Sequence, residues 1–599
     1  MNRILNRNLI CGTVLVLALG IASCTKKGGS SGSRELNLTS SAKIKGLDPI
    51  QAGDLYAGRQ VANAYEPLFQ YHYLKRPYEL IPALAESMPT FESSSGSAAS
   101  TVLKVRLKRA VLFQDDECFK ASNGKGRELT ADDIVYSFMR LADRKENAEG
   151  WWIFDGKIKG LNEWRDATPA GKNGDYSAKI EGLKALDRYT VRIELTKPNN
   201  QFLYYLAMPF TSIVPKEAVE HYGADFLRNP VGTGPFKLVR EESNLNSKLV
   251  WVRNPTYRQE MYPTEGEPDD KAKGLLEDAG KQLPLVDKMI VQVIPEDQPR
   301  WLNFQSGKLD LTGIPKDNFD STISADMDLN AEMMKKGIVL HKAPNLDVTY
   351  TSFNMEDPIV GKNKWLRKAM SLAYDINPVI KLFYNGRAIP AQSPIPPGVF
   401  GYSSQYRNPN VDYNIEKAKE FLAKAGYPGG KGLGTITLLG LSTSQARQQS
   451  EYFVNSMSKI GINVVVKAFT WPDFLKNMND KKGQMWGLAW GADYPDAENF
   501  LQLFYGKNKA PGPNNANYVN SDYDRLYKEM LNLQNGEKRL EVIKKMVKIV
   551  EDDVPWVFGT HRIGFTLAQP WLRNYKVIEF DHNQEKYLNI DVARRSQGL

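Results

Sequence analysis

The stretch TITLLGLSTSQARQQSEYFVNSMSKIGINVVVKAF, residues 435–469, decides the fold class. Thr435 to Leu439 reads as a strand, Ser444 to Lys459 as a helix, and Ile462 to Phe469 as a second strand rich in β-branched residues. Such βαβ alternation implies a mixed or parallel sheet covered by helices. Just upstream, Asn414 is a good N-cap for a helix through Ala425, with Leu422 and Ala425 facing inward and Gly426 at the C′ position. Far from this unit, Thr130 and Asp133 form a capping box whose helix carries Ile134, Phe138 and Leu141 on one stripe. Tyr523 to Val550 reads as two helices broken near Asn535-Gly536, followed by a buried strand over Val554 to Phe558. Thr101 to Leu107 and Tyr189 to Leu195 alternate polar and apolar residues as half-buried strands do. Loops are expected at Glu92 to Ser100, Pro169 to Ser177 and Tyr262 to Gln282, where charge, Gly and Pro accumulate. The expected class is α/β, or mixed α+β, without an internal repeat.

Composition fits that picture. The 599 residues are 42% apolar and 11% aromatic, enough for more than one packed core and far from a disordered or collagen-like chain. The formal charge of +9 arises from 78 basic and 69 acidic residues without a long Lys/Arg run, so nucleic acid is not an expected partner.

One apolar end stands apart. Arg3 and Arg7 precede a short apolar run, Leu9 to Ala22, that closes on Ile21-Ala22-Ser23-Cys24. This ending resembles the bacterial lipobox, which implies a signal peptide over 1–23 and diacylation of Cys24 as the first mature residue. Two acyl chains suffice for stable membrane attachment. Residues 24–34, rich in Gly and Ser, read as a flexible tether. Cys11 leaves with the signal and Cys24 carries lipid, so Cys118 has no partner for a disulfide.

Catalytic signatures are sparse. His72, His221, His341, His561 and His582 show no metal-binding spacing, so no metal site is expected. Gly28-Gly29-Ser30-Ser31-Gly32 matches a nucleophile elbow only formally, lacking the strand and helix that the motif needs. Gly232-Thr233-Gly234-Pro235-Phe236 and Gly429 to Gly434 lead into strands rather than helices and read as turns, not phosphate cradles. No catalytic residue and no cofactor are assigned.

The constellation that invites function is Trp486-Gly-Leu-Ala-Trp490-Gly-Ala-Asp493-Tyr494-Pro495-Asp496-Ala-Glu498-Asn-Phe500. A carboxylate beside indoles suits an ammonium group, through a charge-assisted hydrogen bond and the cation affinity of aromatic faces. The same residues also read as a core pair of tryptophans and a helix cap at Asp493.

A resemblance gathers these pieces. Leu47-Asp48-Pro49 with Ala64 to Phe69, Leu129 to Phe138, Val231 to Phe236, Arg253 to Tyr257, Phe304 to Asp310, Leu366 to Ala369 with Ala373 to Asp375, and Ile460 to Val464 occur in the order found in extracellular solute-binding protein family 5, the peptide-binding components of ABC importers. The resemblance implies a two-lobed flytrap of the cluster C type, closing by hinge motion on its ligand. Lobe I would comprise 35–65, 216–346 and 558–599, an extra subdomain 66–215, and lobe II 347–557. It further implies that Asp493 holds a peptide's α-ammonium and that Ala489, Trp490 and Gly491 pair with the peptide backbone by β-augmentation. Gly53, Asp54 and Leu55 would form a second backbone contact, and Trp151 or Trp152 would stand near a ligand-contacting tyrosine of relatives.

Several positions depart from the family pattern. Gly487 and Phe383 replace basic residues that oligopeptide binders place at the peptide carboxylate, and together with Met208 leave recognition of that end open. Asp347 and Gly491 stand where some members have a disulfide. Residues 262–282 exceed the usual length. The implied protein is a monomer, exported and lipid-anchored through Cys24, on the periplasmic side of a Gram-negative membrane or the outer face of a Gram-positive one. It would pass peptides to permease subunits. The same fold with nickel chelates, oligosaccharides or opines as cargo is an alternative, although a neutral sugar gives Asp493 no cation to offset its desolvation. A second class is an envelope glycoside hydrolase using Asp493 and Asp496.

Overall fold

The computed structural model describes residues 33–92, 101–169, 171–580 and 583–598. The 435–469 unit forms as its pattern dictates. Strand Thr435–Leu441 runs parallel to Asn463–Phe469, with Thr435 opposite Asn463 and Leu441 opposite Phe469. Helix Ser444–Ser458 joins them and buries Phe453 and Met457. Each large apolar side chain so removed from water contributes about 1.5–3 kcal/mol. The Asn414 side chain caps helix Ile415–Lys424 by accepting from the Lys417 amide, and Gly426 adopts the positive φ of the C′ position.

Three further strands complete this mixed sheet. Met485–Gly491 follows Thr435–Leu441, then Asp347–Phe353, then Trp556–Phe558. A second sheet sets Glu35–Ser40 parallel to Lys288–Val293, with Lys248–Arg253 and Phe236–Leu238 beyond. A third, antiparallel sheet contains Thr90–Glu92, Val102–Arg106, Thr190–Glu194 and Leu183–Asp187. Helix Ala131–Ala142 carries Ile134, Phe138 and Leu141, all fully buried, behind the Thr130–Asp133 capping box.

Two passages of chain link one sheet to another. Val339–Pro344 leads into Asp347–Phe353, and Trp556–Phe558 leads into Thr560–Ala568. Val339–Pro344 and Thr560–Ala568 pair antiparallel, with Pro344 opposite Ile563, so the crossovers lie side by side. The Gly232 to Phe236 turn owes its glycines to close packing: Cβ atoms at Gly232 and Gly234 would lie 2.1 Å from the Ala64 carbonyl oxygen and 2.5 Å from its carbon.

Residues 262–282 are a docked excursion. Asp270 is buried against Lys576 at 2.8 Å, and Asp278 accepts from Asn574 and Asn589 at 2.7 and 2.8 Å. Cys118 is buried as a free thiol. The signal peptide, Cys11, Cys24, Gly28 to Gly32, His582 and most of the 92–100 loop lie outside the described residues.

Candidate functional site

Strand Met485–Gly491 splits its residues by face. Trp486 is fully buried with Leu439, Phe474 and Met478, whereas Gly487, Ala489 and Gly491 are exposed. The strand pairs with Asp347–Phe353 along its whole length. On its other side, pairing with Thr435–Leu441 stops after Met485 and Trp486. From Gly487 to Gly491 that edge meets no strand among the described residues, and the edge is therefore a template for an added extended segment. Neither Gly487 nor Gly491 has an atom within 4 Å of where a Cβ would stand.

Asp493 follows this open edge. Asn499 fixes the turn: its Oδ1 accepts from the Asp493 backbone N–H and the Trp490 indole N–H, each at 3.0 Å. Its Nδ2 donates to the Asp493 carboxylate at 2.8 Å. Among the described residues no cation pairs with Asp493, and burial pushes its carboxyl up to about 7, aided by the nearby Glu498 charge and opposed by the Asn499 hydrogen bond. An arriving ammonium would restore the ionised form, since an opposite charge at contact distance favours it.

Asp496 is different in kind. It is buried, bonded twice to Arg539 at 2.6 and 2.9 Å, and it caps the Glu498 backbone N–H at 2.8 Å. Asp496, not Asp493, therefore takes the first backbone N–H of helix Glu498–Leu501, whose N-cap is Ala497. Glu498 accepts from Tyr494 at 2.5 Å and from Tyr527, and Tyr205 reaches it at 3.4 Å. With Asp496 locked by Arg539, Asp493 and Asp496 do not form the open acid/base pair that a glycoside hydrolase needs.

The other expected positions separate. The Gly53 N–H already donates to Glu149 at 3.0 Å, and a Cβ there would lie 2.1 Å from that carboxylate. Asp54 caps helix Leu55–Ala64 and pairs with Lys45 at 3.2 Å, so these two residues arrange the loop, whereas Leu55 is exposed. Trp152 is a core residue edge-on to Tyr205, and Trp151 is half-buried beneath the Arg165 guanidinium. Asp347 and Gly491 stand directly opposite each other, and in place of a disulfide Asp347 holds Arg562 at 2.6 Å. Phe383 and Met208 are buried.

Sequence reasoning missed Asn499, which lies within the quoted constellation but carries no signature of its own. It also missed the edge-on contact of Tyr56 with Trp471 at 5.6 Å, between residues more than 400 positions apart.

A two-lobed α/β body with paired crossovers and an open strand ending at an unpaired acid has the layout of a solute-binding receptor. The chain belongs to the bacterial extracellular solute-binding proteins, family 5, whose model matches residues 79–512. The dipeptide-binding protein of Escherichia coli is 25% identical over 512 residues, 83% of this chain and 84% of that one. Heme-binding protein A of Haemophilus influenzae is 25% identical over 524 residues, 86% and 84% of the two chains. In structure, the chain resembles the periplasmic binding protein DppA of Helicobacter pylori in complex with the peptide STSA, at a TM-score of 0.74 and 23% identity, covering 93% and 99% of the two chains. It is also similar to peptide-bound OppA of Listeria monocytogenes, at a TM-score of 0.72 and 24% identity, covering 94% and 100%.

Proposed function

We propose that this receptor captures peptides between its lobes by hinge closure and delivers them to the permease of an ABC importer. The observation that carries the reading is the open edge from Gly487 to Gly491 ending at Asp493. Main-chain pairing along that edge accepts many sequences, and Asp493 sets the register by binding the terminal ammonium. Family membership and the peptide-bound neighbours support the same cargo. The proposed site set is Asp493, Ala489, Trp490 and Gly491, with Leu55 and Trp151 as further ligand contacts; Gly53 and Asp54 arrange the loop before Leu55, and Trp152 packs in the core. The lobe boundaries given above are supported by the sheets, each of which draws most of its strands from one proposed part.

The test is native mass spectrometry of the mature protein purified without refolding, followed by calorimetry with a free and an N-acetylated tripeptide. A ladder of peptide masses, and loss of binding on acetylation, is the expected result. A single non-peptide mass, such as a tetrapyrrole, overturns the peptide reading while leaving the family intact.

The receptor acts as a monomer tethered to the cell envelope through acylated Cys24. Among the described residues no helix is long and apolar enough to cross a membrane, and the lipobox-like ending supplies the anchor instead. Cys24→Ser should abolish lipidation and move the protein from the detergent to the aqueous phase; an unchanged partition refutes the anchor.

A further inference from the structure

The passage from Val339–Pro344 into Asp347–Phe353 consists of Asn345 and Leu346 alone. Short links at the ends of elements are where hinge motions are absorbed. Because Asp347 stands opposite Gly491, Leu346 meets Ala492, the residue directly before Asp493. The Ala492 N–H donates to the Leu346 carbonyl at 2.8 Å. In a regular antiparallel ladder such a pair exchanges both bonds, and the Leu346 N–H would return to Ala492. It goes instead to the Glu579 carboxylate, at 3.1 Å. A side chain 233 positions away thus takes one half of the last rung before the Asp493 turn.

Glu579 is itself held in place. Its backbone N–H donates to the Tyr78 phenol at 3.1 Å. The ring centre of the neighbouring Phe580 lies 4.1 Å from that of Tyr78 and 4.7 Å from that of Tyr71. Phe580, Tyr71 and Ala492 belong to one apolar cluster, against which Leu346 packs. Loss of water pushes the Glu579 carboxyl up to about 6, opposed by the Leu346 N–H, aided by the Asp347 charge and opposed by Arg59 and Arg562. When ionised, the carboxylate makes a charge-assisted bond to Leu346, stronger than the amide-to-carbonyl bond it replaces.

We propose that Glu579 is a positioning residue for Asp493. By holding the Leu346 peptide unit it fixes the rung from which the Ala492–Asp493 turn hangs, and it ties the bend of the linker to the presentation of the acid. The inference rests on the ligand-binding role of Asp493 given above. Glu579 acts through Leu346 and Ala492, not on the ligand.

Hydrogen exchange on the mature, ligand-free protein tests this first. In Glu579→Ala the amides of 345–347 and 491–494 should exchange roughly 10- to 100-fold faster, the scale of one hydrogen bond to a charged group, while the rest of the sheet keeps its protection. Glu579→Gln retains an acceptor oxygen and should restore most of that protection. Calorimetry with trialanine reads the consequence: affinity should fall about tenfold in Glu579→Ala and stay within about threefold of wild type in Glu579→Gln. Faster exchange at 345–347 with 491–494 unchanged overturns the proposal, because the effect then stops at the linker. Unchanged trialanine affinity in Glu579→Ala overturns it as well. So does acceleration across the whole sheet with a lowered thermal midpoint in both variants, which is what a purely structural role produces. Failure of the wild type to bind trialanine refutes the peptide reading instead, and the exchange pattern still decides whether Glu579 holds the Asp493 turn.

Discussion

Asp493 and Asp496 are three residues apart on one turn, yet the fold treats them oppositely. Asp496 is sealed beneath two hydrogen bonds from Arg539, while Asp493 has the Asn499 amide and, among the described residues, no cation. A buried acid with its own arginine is architecture; an acid that is desolvated without a cation is half of an interaction whose other half comes from outside. Proximity in sequence to other carboxylates therefore says little about role, and the partner says most.

The sharpest way to break this contrast is Arg539→Ala. It leaves Asp496 buried and uncompensated beside Glu498, and should cost about 3–5 kcal/mol of stability, read from the urea midpoint. A variant as stable as the parent would show that the pair is not architectural. Asp493→Ala should instead weaken peptide binding by about 2–5 kcal/mol in calorimetry, with the thermal midpoint unchanged or raised. Retained affinity would remove the ammonium clamp.

Acidity sharpens the comparison further. In the folded protein the Asp493 carboxyl sits at about 7, against about 3.9 in an unfolded chain. The folded state therefore holds that proton more tightly, and Asp493 destabilises the fold above pH 7. This penalty is relieved as pH falls from 7 towards 4. An ammonium ligand needs the ionised form, so affinity should fall below pH 7, approaching about tenfold per unit. Asp493→Asn should abolish both slopes; a variant that keeps the parent's pH profile assigns the titration elsewhere. The smallest effect is expected from Asn499→Ala, which frees the carboxylate and the Trp490 indole and should cost about 1 kcal/mol of affinity. A loss as large as that of Asp493→Ala would mean that Asn499 shapes the whole cleft.

The βαβ unit, the Thr130–Asp133 box and the break near Gly536 were legible because each rests on local periodicity, capping or backbone freedom. Asp493 was legible as a candidate; that the Glu498 N–H goes to Asp496 and not to Asp493, which removes the helix-cap alternative, was not. Gly53 and Trp152 show the reverse. Position alone marks them for ligand contact, whereas packing turns the Gly53 amide to Glu149 and places Trp152 in the core. Residues 262–282 read as a loop, and nothing local revealed that Lys576 and Asn589 would hold them down.

The bare positions Gly487 and Gly491 have a consequence for how such a receptor changes over generations. Neither requires a positive φ, and the space beside each is empty. On the proposed reading of this edge, a side chain introduced at either position would press on cargo before it pressed on the protein. Selectivity can drift there under selection while the folding of the chain goes untaxed, which makes these two residues the natural dials for retuning what the receptor accepts.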